Sequence, residues 1–543
     1  MIKIKQRKQS PIEYGSRLIM TIVIISIKTD NLTPHYGNRN TNFIMEEKTK
    51  AIVKNTEKNY QQISIDQFDN FIKKFPTYGT LIKCGEYSLD LFNNKNEEFY
   101  NYVIEEKDKQ TITQWGLALI SFRSVLRSND GRGYALSEQD FFQLNSQANS
   151  IKEPFSEDKN LTSFLQRISQ EQFPAQNSKR SNCLARYYDI FKSSNLSQDF
   201  QDVYDISIED YMLTGMAIFG LIIKNNNPII DFDNVNIETN NKRINDVFIR
   251  EKKEKFRNIA FADYNEFRSL IIGSCSIPGY EKYEFNPLYS KPIIDGDNRY
   301  SYLKGKNVVP NVEALISKIT KGIYWDLRDY YRKKDSQDFL NSFGDLFKDY
   351  VGRILKNYFG ENNVVDLDIY KEKNSIKGKI ADWLICLDEI ELLIECKSSL
   401  LSQKVKQTFI PEVFQKWCID SKFSKAVDQL LETDKVLSKT EKKRYNVIVI
   451  LEDLYLAEMP EVKKKIDPRV DDFFITTIAD LENMENWIKK YGIEKIIEEK
   501  LASDKRNNPA EGREFMQVCF NLDNEIKMHN SFLNDIYNTA LKF

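Results

Sequence analysis

The 543 residues carry 78 Lys and Arg against 80 Asp and Glu, and 41% of them are hydrophobic. That length, at roughly 100–200 residues per domain, holds two to four globular domains, and the near-zero net charge leaves any nucleic-acid surface to be a local feature. With only two histidines, His35 and His529, chemistry that needs imidazoles in a folded core is excluded: nucleophile triads, histidine metal sites and histidine-dependent ribonucleases.

At the N-terminus a basic stretch precedes the apolar run Leu18 to Ile27. The run is too short to cross a bilayer and no small-residue cleavage site follows, so a stray strand or an over-extended start is expected there rather than a signal peptide. Residues 1–45 are set aside as an extension, and an ordinary soluble beginning is expected at Met45. The seven cysteines are scattered without CxxC spacing, which points to reduced structural thiols in the cytoplasm and no association with membranes.

Residues 46–334 read as a mainly helical region. Trp115–Leu126 is apolar at helical spacing, and Ser207 with Asp210 three residues on caps a helix running to Ile223. Prolines and glycines over 273–311 predict turns with short strands, and helix returns from Val312 to Tyr331. The charged stretch Arg332–Asp338 predicts a boundary near 335. Beyond it, Asp335–Tyr358 presents an aromatic helical face closed by Gly360. Strands are expected at Asn363–Tyr370, Ile380–Leu387 and Ile390–Ser398, a helix from Asp420 or Ser421 to Leu437, a buried strand at Tyr445–Leu451, then Phe473–Thr477 and helix Ala479–Lys490. The fold class is therefore α+β or α/β and multidomain: a helical N-terminal region, an α-β-β-β-α-β unit over 335–500, and a helical tail over 501–543.

Glu-x-Lys recurs along the chain in charged, helical or loop-like contexts. Glu395-Cys396-Lys397 instead ends an apolar β-run, where two charges are costly unless used. A two-residue turn at Asp388-Glu389 would set cross-strand partners summing to 777 and place Asp382 opposite Glu395. Carboxylates so placed, with Cβ atoms about 4.5–5.5 Å apart, repel unless they share a proton or bind a cation. Lys397, two residues on, projects from the same face. Two carboxylates and an ammonium suit a hard, oxygen-seeking ion such as Mg²⁺. Lys404, Lys406, Lys416 and Lys422, interleaved with Phe409, Phe414 and Trp417, read either as a phosphate-tracking, base-stacking surface or as a solvated loop whose aromatics pack on the core.

In that element order, Asp382, Glu395 and Lys397 resemble the PD-(D/E)XK nuclease superfamily, with its restriction-endonuclease-like fold. The resemblance covers about residues 335–490. It implies metal-dependent phosphodiester hydrolysis, with DNA as the expected partner and RNA also admitted. Mg²⁺, with Mn²⁺ as a substitute, would be held by Asp382, Glu395 and the Cys396 carbonyl. The family's next helix often carries a Lys/Gln pair, matched here by Lys425 and Gln429 at i, i+4. Two departures stand out. No proline precedes Asp382, and where the family's first helix often offers a glutamate this chain has Lys348, with Asp345 or Asp349 as the substitute ligands. A restriction or anti-phage defence effector is the expected setting, with residues 46–334 receiving a partner or signal and a homo-oligomer allowed. The alternatives are a catalytically inactive nucleic-acid-binding protein of the same fold and an interaction scaffold led by the N-terminal region.

Overall fold

A computed structural model describes residues 62–541 except 94–100, 104–108, 129–134, 155–162, 164–165, 168–179, 193, 236–241, 273–276, 421–422, 438–439, 452–453, 455–456, 459, 470–472 and 505–513. The N-terminal run, the start at Met45 and Lys422 thus lie outside the described residues. The chain is mixed α and β and separates into two compact units, each built from non-contiguous segments.

Of the described residues, one unit comprises those within 62–154, 217–235 and 257–318. Its helices include Ile65–Ile72, Thr77–Asn93, Gln114–Arg127 and Glu138–Asn149. Ser64 and Gln67 cap the first reciprocally. The Pro/Gly-rich part forms short strands as expected. Ile293–Asp295 and Asn307–Val308 pair antiparallel within a four-stranded sheet whose other members are Ile229–Ile230 and Phe261–Ala262. Phe68, Leu81, Phe122, Phe141, Ile294 and Val308 are core residues of this unit.

The second unit comprises residues 155–216, 237–256 and 319–543. It is wider than the expected cut near 335, because segments before 335 close its core. Its centre is α1 (Asp338–Phe359), β1 (Val364–Asp366), α2 (Leu367–Lys373), β2 (Trp383–Cys386), β3 (Ile390–Lys397), α3 (Gln403–Thr408), α4 (Pro411–Asp420), α5 (Phe423–Val436), β4 (Lys443–Ile450), α6 (Pro460–Ile466), β5 (Phe473–Thr477), α7 (Ile478–Asn483) and α8 (Glu485–Asp504). The strands form one sheet in the order β5-β4-β3-β2-β1. β1, β2 and β3 pair antiparallel, and β4 runs parallel to both β3 and β5.

Alternation along the strands assigns two faces. Leu384, Leu393, Ile448 and Ile475 pack with Ala426, Val427 and Leu430 of α5. On the other face Ile385, Leu392, Ile394, Val447 and Val449 meet Leu355 and Phe359 of α1 and Ile488 and Ile497 of α8. Gly360, at φ +82°, ends α1 where a side chain would be strained.

Several elements differ from expectation for local reasons. Asn363–Tyr370 is strand only to Asp366, whose carboxylate accepts the N–H groups of Asp368 and Ile369 at 2.9 and 3.4 Å and so caps α2. Helix 312–331 is two helices, Val312–Ile319 and Gly322–Lys333. The region between β3 and α5 is helical, not loop. The six described cysteines are reduced thiols, Cys275 lying outside the described residues. Among the described residues no single helix is long and apolar enough to cross a membrane; the pair Asn195–Tyr204 and Ile208–Asn225 has the length and composition but bends by 64°.

Candidate metal centre

The β2–β3 hairpin turns at Asp388-Glu389, with Leu387 donating its N–H to Ile390 O at 3.0 Å. Trp383 pairs with Ile394, Leu384 with Leu393, Ile385 with Leu392 and Cys386 with Glu391, all in the register the turn implies. The ladder ends at Trp383–Ile394, so the expected pairing of Asp382 with Glu395 is not part of it; Asp382 lies just beyond, at the open end of the hairpin. Its N–H still reaches Ile394 O at 3.0 Å, and its carboxylate crosses to accept the Cys396 N–H at 2.7 Å.

The backbone before Asp382 is tied to α5. Ala381 donates its N–H to Thr433 Oγ1 at 2.7 Å, and Gln429 Nε2 donates to Ile380 O at 3.0 Å. The same Gln429 nitrogen lies 3.3 Å from Glu395 Oε2. One amide side chain therefore holds the chain leading to the first carboxylate and contacts the second. On β3, Lys397 Nζ donates to Glu395 Oε1 at 2.6 Å.

Glu395 is 2% exposed. Burial and the charge of Asp382 push its carboxyl up to about 8, against the pull of Lys397. Burial also raises Asp382, opposed by the Cys396 N–H and by Lys397 and Lys348. A buried and a half-buried carboxyl that each resist ionisation make a place where a cation is favoured, and their hard oxygen donors fit a divalent ion of the Mg²⁺ type. Among the described residues no three His, Cys, Asp or Glu side chains converge as a metal-binding group. An ion held by Asp382 and Glu395 would draw its remaining ligands from backbone carbonyls such as that of Cys396, from water and from a bound phosphate.

Asp345 and Asp349, the substitutes expected on α1, are exposed. The charge that α1 brings to the pair is that of Lys348, which acts on both Asp382 and Glu395. Its ammonium bonds Asp368 and lies 3.5 Å from Asp366 Oδ1. This Lys–Asp–Asp cluster had no signal in the sequence beyond the acidic DLD after the first strand.

Lys425 is exposed on α5, one turn from Gln429. Lys404 and Lys416 are exposed, the latter 3.3 Å from Asp420, and Lys406 is half-buried. The aromatics among them face inward. Phe409 and Phe414 are core residues, and Trp417 packs on Phe414 with ring centroids 5.9 Å apart and donates Nε1 to Leu400 O. Of the two readings of this segment, the packed one describes the aromatics, and phosphate contact is left to the lysines.

No family model, curated protein or solved structure gives a significant match to this chain.

Proposed function

We propose that the second unit is a metal-dependent nuclease of the PD-(D/E)XK, restriction-endonuclease-like type, acting on the phosphodiester bonds of DNA. One observation carries the reading. Glu395 is buried and Asp382 half-buried at the open end of a hairpin, with Lys397 bonded to Glu395 and α5 holding the backbone before Asp382. The mixed five-stranded sheet with α1 on one face and α5 on the other is compatible with such a core.

A bound Mg²⁺ would supply charge to the phosphate and acidify a coordinated water. Asp382 and Glu395 would hold it. Lys397 keeps an ammonium at the same place, where it orients the attacking water and offsets charge developing on phosphate oxygens. Gln429 fixes the Glu395 carboxylate. Lys425, with Lys404 and Lys416, offers contacts to the substrate backbone away from the scissile bond.

The test is cleavage of plasmid, linear and single-stranded DNA and of RNA across a Mg²⁺ titration, with Glu395→Gln alongside. Mg²⁺-dependent cleavage lost in Glu395→Gln supports the reading. Binding of DNA without cleavage in any divalent metal would assign the fold to the inactive, binding-only alternative, and cleavage that survives in Glu395→Gln would move the metal site elsewhere.

A further inference from the structure

We propose that Glu458, Lys463 and Lys500 form a charged cover over the free edge of β5, standing where a further strand would pair, and that this cover keeps β5 from pairing with the β5 of a second copy of the chain. The proposal concerns the edge of the sheet opposite β1 and does not rest on the nuclease reading.

β5 is the last strand of the sheet, with β4 on one side only. Successive residues of a strand turn their N–H and C=O groups to opposite sides, so Phe473 and Ile475, two apart, offer theirs to the same edge. Side chains meet both. Ile475 donates its N–H to Glu458 Oε1, and Lys463 Nζ donates to Phe473 O at 2.6 Å. One acceptor and one donor are what a neighbouring strand would supply there. The two side chains are joined, Lys463 Nζ lying 2.9 Å from Glu458 Oε2, and Lys500 Nζ lies 2.7 Å from the same oxygen. The lysines arrive from both faces. Lys463 is on α6, whose Val462 and Ile466 pack with Phe473 and Ile475 on the α5 side. Lys500 is on α8, which covers the other face, and its ammonium lies 5.9 Å from the centroid of the Phe474 ring.

Glu458 is 2% exposed, Lys463 6% and Lys500 0%. Taking three charges out of water is costly, and apolar side chains of similar volume would often stabilise a fold as well or better. What apolar side chains cannot do is bond the outward N–H and C=O of an edge strand. The strand beneath calls for such a cover. Phe473–Thr477 is uncharged, aromatic and β-branched throughout, and buried along its whole length, a composition that adds strands when its edge lies open. A two-fold axis sets such an edge against itself, N–H to C=O, so a second copy is the occupant that the uncovered edge fits.

The test is amide hydrogen exchange of the full-length chain, with sedimentation over a concentration series. In the wild type the Ile475 amide should exchange about 10²-fold or more slowly than in an unstructured chain. Exchange near the unstructured rate would overturn the proposal with no variant made. Replacing the three together, as Glu458→Leu, Lys463→Met and Lys500→Met, removes the cover and its charges at once. Dilute, this variant should exchange Ile475 on the order of tenfold faster than wild type. As concentration rises it should associate beyond the wild-type state, with Ile475 protected again. Lys500→Met alone leaves both edge contacts in place and should match wild type. A triple variant that keeps the wild-type state at every concentration, or that associates while Ile475 stays open, sinks the proposal. Equal association in Lys500→Met would trace the effect to a loosened core and sink it too.

Discussion

At neutral pH a carboxyl held at about 8 keeps its proton most of the time, so Glu395 must lose that proton before it can hold a cation. Site occupancy should therefore rise with pH, roughly tenfold per unit below about pH 8, and then level off. Single-turnover cleavage at sub-saturating Mg²⁺ should trace that limb, and Mn²⁺ affinity should trace it independently of turnover. The same group acts on stability in the metal-free protein. Its folded value is raised, so between the ordinary carboxylate range near ~4.3 and about 8 the folded state binds more protons than the unfolded one. Stability should fall as pH rises through that window, Asp382 adding in the same direction. Thermal unfolding in a chelator should show the slope, and Glu395→Gln should flatten it; an unchanged slope would mean that Glu395 is ordinary. The lysines should separate by role. Lys397→Ala should lower kcat by about 10²-fold or more with little change in DNA affinity measured in Ca²⁺. Lys425→Ala should weaken binding and reduce its salt slope by about one. Equal, purely binding-type defects in both would take Lys397 out of the chemical step.

Between single residues and the sheet, α5 is the element that places Asp382. Thr433→Val keeps the helix and the volume but leaves the Ala381 N–H without its acceptor. A lost buried hydrogen bond of this kind costs about 1–3 kcal/mol. Because it lies one residue from Asp382, the proposed metal ligand, kcat should fall by about tenfold or more while DNA binding measured in Ca²⁺ is retained. A change in stability alone would make Thr433 a packing residue. The hairpin was the most legible part of the sequence: apolar flanks, a two-residue turn and period-2 alternation set its register, and the turn-derived pairing is the one found from Cys386–Glu391 to Trp383–Ile394. The strand expected through Tyr370 failed because Asp366, counted as a strand residue, is a helix cap. Lys348 was visible as an oddity in α1, but its hold by Asp366 and Asp368 depends on how α1 crosses the sheet. Spacing along one helix carries no information about that crossing.

For the second unit as a whole, the ties that matter span long stretches of sequence. Arg186, on the helix Arg180–Phe191, forks onto both oxygens of Glu482 at 2.6 Å, and Tyr350 OH donates to the same carboxylate at 2.6 Å. Arg353 of α1 reaches Asp189 on that earlier helix at 2.6 Å. Composition hints at none of this, and the charged stretch at 332–338 has the character of a linker while the core continues across it. A 335–543 fragment should accordingly be insoluble or unfolded, since Glu482 would be buried without its arginine. Removing one partner of a buried pair costs about 3–5 kcal/mol. In full-length protein, Arg186→Met should lower the unfolding temperature of this unit by a corresponding amount. A well-folded 335–543 fragment that binds Mn²⁺ would restore the shorter domain.

Arg186 and Glu482 are 296 residues apart. On a ribosome moving at roughly 5–20 residues per second, the helix bearing Arg186 waits on the order of 15–60 s for the carboxylate that neutralises it. In that interval the guanidinium stays at the surface of a growing chain, or pairs elsewhere and must later let go. The whole sheet, from β1 onward, is translated after the last segment of the first unit has emerged. The sheet that carries Asp382 and Glu395 is therefore complete only once β5, at Phe473–Thr477, has been made, and chains terminated before it lack the finished sheet.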